Sequence, residues 1–442
     1  MKNFTEFGFQ LPEILLPKNI NTEKWSVIAC DQYTQDLAYW QKVEENVGTE
    51  PSTLNLILPE VYLNTPEQIL RMKKIQQNMK DYVQNGVFAK EEKEVIYVER
   101  VTSYGRKRCG LVCAVDLDKY EWQPMSKAYI RATEATIKER IPPRKEIRKS
   151  ALIESPHIML LINDEKNVLM KTACEQSKKD APVYEGKLMM NSGSITGWKV
   201  SSEEGIDALY YAFDTLKQSC VQSDGSVFMA AVGDGNHSLA TAKAVWDDIK
   251  QAKLREGLSI SEIEKMPQRF ALVEIVNIYD EGLTFEPIHR VLFNADPEEL
   301  IEFLKNKFNG NVCEVAGESN LESFVKDSRG AFGFVYRSES KLTYKILDTN
   351  IKSLAVSELQ PALDEFIKEH KNIEIDYIHG SEEVFRLGKK DNAISIMLPP
   401  IAKDSFFATI AGSGPLPRKS FSMGEASEKR FYLECRKLTE NI

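Results

Sequence analysis

The chain has 442 residues, 42% of them hydrophobic and 28% charged, and a formal net charge of -9. That length and apolar content support a large buried core in two lobes, whereas the acidic balance argues against a protein that binds nucleic acid by neutralising many phosphates. No segment approaches the ~20 uninterrupted apolar residues that span a bilayer, and small-molecule chemistry is the class this balance favours over a local basic patch.

The 7 cysteines are odd in number and scattered, and the N-terminus lacks a basic start followed by a long apolar run. Both point to a reduced, cytoplasmic protein. Cys109 and Cys113 have no second Cys/His pair nearby, which argues against a structural zinc site.

Residues 1–60 are irregular and aromatic, broken by Pro12, Pro17, Pro51 and Pro59. Within them an apolar strand over 27–30 runs into Asp31-Gln32-Tyr33-Thr34 and a short helix over 37–45. Asp31 and Tyr33 read either as substrate-handling groups or as a helix cap and a packed ring. The period through Ile69, Met72, Ile75 and Met79 predicts a structural helix over 66–85, and 95–101 and 108–117 alternate as paired strands. Arg131, Glu134, Lys138, Arg144, Lys145, Arg148 and Lys149 then gather around Pro142-Pro143. Such a run is either a solvated face or a source of cations for phosphate, Arg131 and Lys138 first among them.

A strand over 157–163, a helix over 168–178, a strand end over 188–190 and a helix over 206–217 lead to VFMAAVGDGNHSLATAK at 227–243. Its apolar start predicts a buried strand over 227–232 and Gly233-Asp234-Gly235-Asn236 the turn. Leu239, Ala242, Val245, Trp246 and Ile249 follow at the spacing of an amphipathic helix. A helix that starts at a glycine corner exposes its first N–H groups and the positive end of its dipole, a seat for an anion such as phosphate. Asp234 adds a carboxylate that can hold a metal or orient a hydroxyl, and His237 an imidazole that can stabilise charge or move a proton. The plain alternative is an ordinary turn in which Asp234 or Asn236 only caps the helix.

This alternation predicts a mixed α/β (α+β) fold with covering helices, with a first lobe over 1–268 and a second α+β lobe over 269–442 that opens on a strand over 270–278. In the second lobe LTFEPIHRVLF points His289 and Arg290 to opposite faces of an extended run, so at most one lines a given site. Helices over 297–307, 362–371 and 382–387 and strands over 331–336, 342–346 and 394–397 follow. The tail ends in a strand over 430–438. Before it, Pro417-Arg418-Lys419-Ser420 is either a surface loop or one that returns a cation and a hydroxyl to the corner.

Five of these stretches, in the same order, resemble the motifs of a large, mostly uncharacterised bacterial family carried as a domain of unknown function and labelled ParB-like. AVGDGNHSLATA stands at its Ala-Asp-Gly-His-His-Arg corner, ACDQYT at its Pro-Pro-Tyr-Asp, RATEAT at its Arg-His-Glu-x-Thr, EPIHR at its Pro-Thr-His-Arg and LPRKSFSM at its Met-Pro-x-Lys-Ser. Asn236 replaces the first His and Ser238 the Arg. If that Arg clamps a phosphate in the family, Arg131, Arg290 or Lys419 has to replace it here.

The resemblance implies a ParB/sulfiredoxin-like first lobe, whose corner binds CTP in ParB, ATP in sulfiredoxin and a phosphoryl donor in ParB-like kinases of free serine. Sulfiredoxin's reactive Cys and ParB's helix-turn-helix have no counterpart here. By analogy the chain is a kinase or phosphatase-like phosphotransferase acting on a small hydroxylated metabolite of the serine or phosphoserine type. On this reading Asp31 is the base, Asp234 contacts Mg²⁺ or a hydroxyl, and His237 meets the transferring group. Gly235, Asn236 and Ser238 hold the phosphate, with Tyr33, Arg131, Glu134, His289, Arg290, Lys419 and Ser420 around it. The donor is a nucleotide or pyrophosphate, although there is no Walker-type glycine loop. The other reading is a nucleotide-binding regulator with little or no catalysis, which the lost corner Arg favours. The expected partner is a small phosphorylated ligand, with no nucleic acid or membrane, and the oligomeric state is open.

Overall fold

The computed structural model describes residues 2–19, 21–90, 92–155, 157–338 and 341–439. The chain forms two compact units, residues 1–283 with 425–442 and residues 284–424. The boundary expected after residue 268 therefore falls at 283/284, because strand Phe270–Asn277 lies in the middle of the first unit's sheet. The tail, expected in the second lobe, belongs to the first. Among the described residues no helix is long and apolar enough to cross a membrane.

The fold is mixed α+β. The first unit is built on a ten-stranded sheet whose middle runs Val95–Val101, Lys107–Asp116, Phe270–Asn277, Met159–Ile162, Ala230–Asp234 and Ile130–Ala132. The first three pair antiparallel, Phe270–Asn277 runs parallel to Met159–Ile162, and Ala230–Asp234 runs antiparallel to Met159–Ile162 but parallel to Ile130–Ala132. Period-two alternation sorts these strands between two cores. Leu111, Cys113, Val115, Leu160 and Val232 join the core that holds Leu239 and Trp246, while Ile96, Val98, Val112 and Leu272 join the one that holds Trp25, Trp40, Phe431 and Leu433. A sheet apolar on both faces is covered on both faces.

The tail is threaded rather than paired. Of the strand expected over 430–438, only Arg436–Lys437 forms a ladder, against Ile153–Glu154, with single bridges at Phe431 and Cys435. Side chains hold the rest: Arg430 meets Glu274 and Glu434 at 2.7 Å each, and Arg436 Nε donates to Glu154 at 2.7 Å. The strand expected over 27–30 is likewise a single bridge, Ile28 to Phe431. Its apolar run is buried by the tail instead of a sheet.

In the second unit a six-stranded sheet runs Asn311–Glu314, Lys341–Asp348, Phe332–Ser338, Ala393–Met397, His289–Phe293 and Glu374–Ile378, antiparallel throughout. Phe285–Pro287 pairs with Phe421–Met423 beside it.

Candidate functional site

The central corner forms as its sequence predicts. Strand Ala230–Asp234 ends in a register shift between Val232 and Asp234, Gly235 takes a left-handed conformation at φ 82°, and helix Asn236–Arg255 starts at once. A Cβ at residue 235 would stand 3.0 Å from Ile158 Cγ1 and 3.2 Å from its Cα, so both φ and space favour glycine. Gly235 has no side chain to cap the helix. The first intrahelical bond comes from the Leu239 N–H to the Gly235 carbonyl, at 3.0 Å. The turn before it, at residues 236–238, presents backbone N–H groups at the positive end of the dipole.

The side chains around this helix start come from four distant stretches. Asp31 Oδ2 lies 3.3 Å from His157 Nε2, and Ser238 Oγ lies 3.4 Å from the same nitrogen. On the other side of the ring, Nδ1 is 2.7 Å from Tyr432 Oη, which already accepts the Cys30 N–H at 3.2 Å. Lys429 Nζ is 3.5 Å from Asp234 Oδ2, and Asp234 Oδ1 accepts the Gly235 N–H at 3.0 Å.

His157 is buried, and burial alone would lower its pKa. The Asp31 carboxylate, helped by Asp234, more than reverses this and holds the imidazole above its ordinary value. Burial likewise pushes Asp31 up, but the His157 charge and hydrogen bond, with Gln32 and Lys429, hold it far below the usual carboxylate range. Each partner thus favours the charged form of the other, and both ring nitrogens face oxygen atoms. Asp31 and Ser238 share Nε2, whereas a hydrolase triad places the acid on the nitrogen opposite the serine. Ser238 is therefore not set up as an activated nucleophile.

A cavity of about 180 Å³ opens beside the corner. Its wall includes His157, Ser238, Thr241 and Tyr432, then Glu60 and Arg144, and continues over apolar side chains of helix Gln68–Gln84 and the 56–63 segment. Arg144 is fixed in the wall by its Nε, which donates to Glu60 at 2.9 Å. The basic run around Pro142-Pro143 thus becomes helix Ile141–Lys149, pinned by pairs of Arg144 with Glu60, Lys145 with Asp248 and Arg148 with Glu154.

Of the residues expected at the site, Asp31, Asp234, Gly235 and Ser238 gather at the helix start. Asn236 turns back to the neighbouring strand: its Oδ1 accepts the Thr133 N–H at 3.3 Å and its Nδ2 donates to Thr133 Oγ1 at 3.1 Å. His237 Nε2 accepts the Ile137 N–H at 3.3 Å. Arg131 is buried, its guanidinium 4.3 Å above the Phe228 ring and its Nε donating to the Ala128 carbonyl at 2.9 Å. Glu134 is half-buried just beyond the strand that carries Arg131. Tyr33 stacks on Tyr39 at 3.8 Å.

The remaining four belong to the second unit and are engaged there. His289 Nδ1 accepts the Leu398 N–H at 3.1 Å, and burial with Arg290 beside it pushes its pKa down to about 4. Arg290 is buried and donates to Gln360 at 2.9 Å and to the Lys419 carbonyl at 3.0 Å. Lys419 Nζ lies 5.0 Å from the Tyr377 ring centroid, and Ser420 Oγ donates to the Pro417 carbonyl at 2.5 Å. His157, Lys429 and Tyr432 were not anticipated. The one local signal for His157 is a lone polar residue at the head of the apolar run IMLLI. Among the described residues no group of three or more His, Cys, Asp and Glu could hold a metal ion. Asp234, expected as an Mg²⁺ ligand, has its two oxygens facing Lys429 and the Gly235 N–H, a poor fit to a cation held by protein groups alone.

A family described as "Protein of unknown function (DUF1015)" matches residues 15–366. No curated protein matches the chain. Among solved structures, a free serine kinase mutant in complex with AMP is 12% identical over 74% of this chain and 92% of its own, with a TM-score of 0.38. A conserved hypothetical protein from Pyrococcus furiosus is 13% identical over 74% and 95%, with a TM-score of 0.33. SbnI with C-terminal truncation from Staphylococcus aureus is 8% identical over 75% and 90%, with a TM-score of 0.37. Likeness at that level carries no functional argument, and none of these matches supports the ParB/sulfiredoxin superfamily that the sequence resemblance implied.

Proposed function

This chain belongs to the DUF1015 family, described only as a protein of unknown function, and from the corner it carries we propose phosphoryl-transfer or phosphate-ester chemistry on a small hydroxylated metabolite. The observation that carries the reading is the His157 imidazole, 3.3 Å from the Asp31 carboxylate at a glycine-started helix N-terminus beside a cavity. The N–H groups at 236–238 and the Ser238 hydroxyl receive phosphoryl oxygens, and Lys429 adds a point charge. Phosphoryl chemistry needs mostly positioning and charge neutralisation, and these groups supply both.

The roles shift from those read in the sequence. Asp31, held far below the usual carboxylate range, is a weak base, and its part is to position and charge His157. His157 then takes the place given to His237, as the acid that protonates the departing oxygen. The donor, in the transfer direction, is a nucleotide or pyrophosphate, with serine or phosphoserine as the first substrates to try. No step runs through Mg²⁺.

A second reading, a nucleotide-binding regulator with little or no catalysis, is favoured by one feature: Asp31, the carboxylate read as the base, is held far below the usual carboxylate range. The test is a thermal-shift screen of the full chain with pyrophosphate, nucleotides and phosphoserine, with and without Mg²⁺, followed by phosphate release. Turnover that His157→Gln abolishes supports the enzyme. Stabilisation without turnover in every combination supports the regulator.

A further inference from the structure

We propose that the cavity beside the corner takes the apolar body of an amphiphile, an aliphatic chain of about six carbons whose phosphate head reaches Ser238 and His157. This rests on the phosphate reading of the corner and adds the substrate class.

The cavity's size and lining carry the inference. A comparable dry apolar cavity of roughly 150 Å³ holds a benzene ring, so about 180 Å³ suits one ring or a short chain. Leu56, Leu58, Leu63, Met72, Ile75 and Ile147 form the apolar wall, and the aromatic rings among the described lining residues are those of Tyr432 and His157.

Several polar groups in the wall already have partners. Gln76 donates to Ser150 at 2.7 Å, Thr241 to the His237 carbonyl at 2.7 Å, and Ser155 to the Glu434 carbonyl at 2.9 Å. Glu60 is held by Arg144, and Glu154 by Arg148 and Arg436. A nucleobase placed here would lose water from its edge nitrogens and oxygens against a wall that is mostly apolar, which buried polar groups tolerate poorly. An alkyl chain has nothing to satisfy. Because the same wall includes Ser238 and His157, a chain lying on the apolar part brings its head to the helix start.

The test is calorimetric titration of the full chain with inorganic, methyl, butyl and hexyl phosphate, with hexanol and AMP as comparisons. Each buried methylene is worth roughly fourfold in affinity, so the five that separate methyl from hexyl phosphate predict a rise of about a thousandfold when all are buried. Met72→Trp or Ile147→Phe, either of which fills the space, should flatten that series. Phosphate binding with no gain along the series would overturn the chain site and leave the phosphate reading standing. Absence of phosphate binding with or without hexanol binding would overturn both. AMP that binds more tightly than hexyl phosphate and displaces it would replace the alkyl chain with a nucleobase.

Discussion

The Asp31 carboxylate stands 3.3 Å from Nε2 of His157, and each partner displaces the other's titration. One residue is in the irregular N-terminal segment and the other heads a central strand, so this pair ties two parts of the first unit together as well as charging the site.

The pair predicts a pH signature. His157 has a raised folded pKa, so its contribution is complete below its unfolded value of about 6.5 and fades as pH rises through the folded one. Asp31 is depressed, so its contribution is complete above about pH 4 and fades as pH falls toward its folded value. The melting-temperature gap between wild type and Asp31→Asn should be widest between about pH 4 and 6.5 and narrow above it. At pH 6 the substitution should cost about 1–3 kcal/mol, the range for a buried group that loses its partner. A gap that stays constant from pH 5 to 9 would show that His157 is not charged by Asp31.

Lys429 stands 3.5 Å from Asp234 at the helix start, and its side chain is 13% exposed. Lys429→Met should weaken pyrophosphate or phosphate ester binding about five- to tenfold, roughly 1–1.4 kcal/mol, with little change in urea midpoint. Titration calorimetry at two salt concentrations reads it, and the wild-type affinity should fall more steeply with salt than the variant's.

Gly235→Ala meets both a left-handed backbone and Ile158 within 3.2 Å. It should cost about 1–3 kcal/mol in urea unfolding and weaken phosphate binding by moving the helix start. Normal stability together with normal binding would show that the corner tolerates another geometry.

Glu274 is buried between Arg108, 3.7 Å away, and Arg430, 2.7 Å away. Glu274→Gln leaves two buried guanidinium groups facing a neutral amide, and the expected loss is about 3–5 kcal/mol. Since Arg430 lies one residue from Lys429, the same variant should loosen the corner, read as faster hydrogen exchange in the tail. Exchange unchanged in residues 425–438 would separate the ion network from the site.

Elements whose signal is local were legible in the sequence. The alternation at 95–101, the apolar run at 270–277 and the stripe Leu239, Ala242, Val245, Trp246 each gave the right element within a few residues. Segments whose partners lie far off were not. The apolar runs at 27–30 and 430–438 read as strands, yet they bury each other through Ile28 and Phe431 and a web of buried ion pairs. Helix Ala355–Glu369 runs through Pro361, where a sequence rule starts it afresh. At the site the backbone corner was readable because glycine and helix period are local. His237 was readable as a candidate because it is two residues from Gly235 in sequence, whereas His157 has no such signal and comes within 3.4 Å of Ser238 from just before the neighbouring strand Met159–Ile162.

The tail that completes the corner, with Lys429 and Tyr432, is made after the whole of residues 284–424, although the unit it completes begins at the N-terminus. During synthesis, where early segments fold first, the first unit must wait with a gap along one face of its sheet until residues 425–438 have been made. Fragments that stop short of residue 425 lack both the Lys429 charge and the Tyr432 phenol, so they carry an unfinished corner however well the rest of the sheet forms.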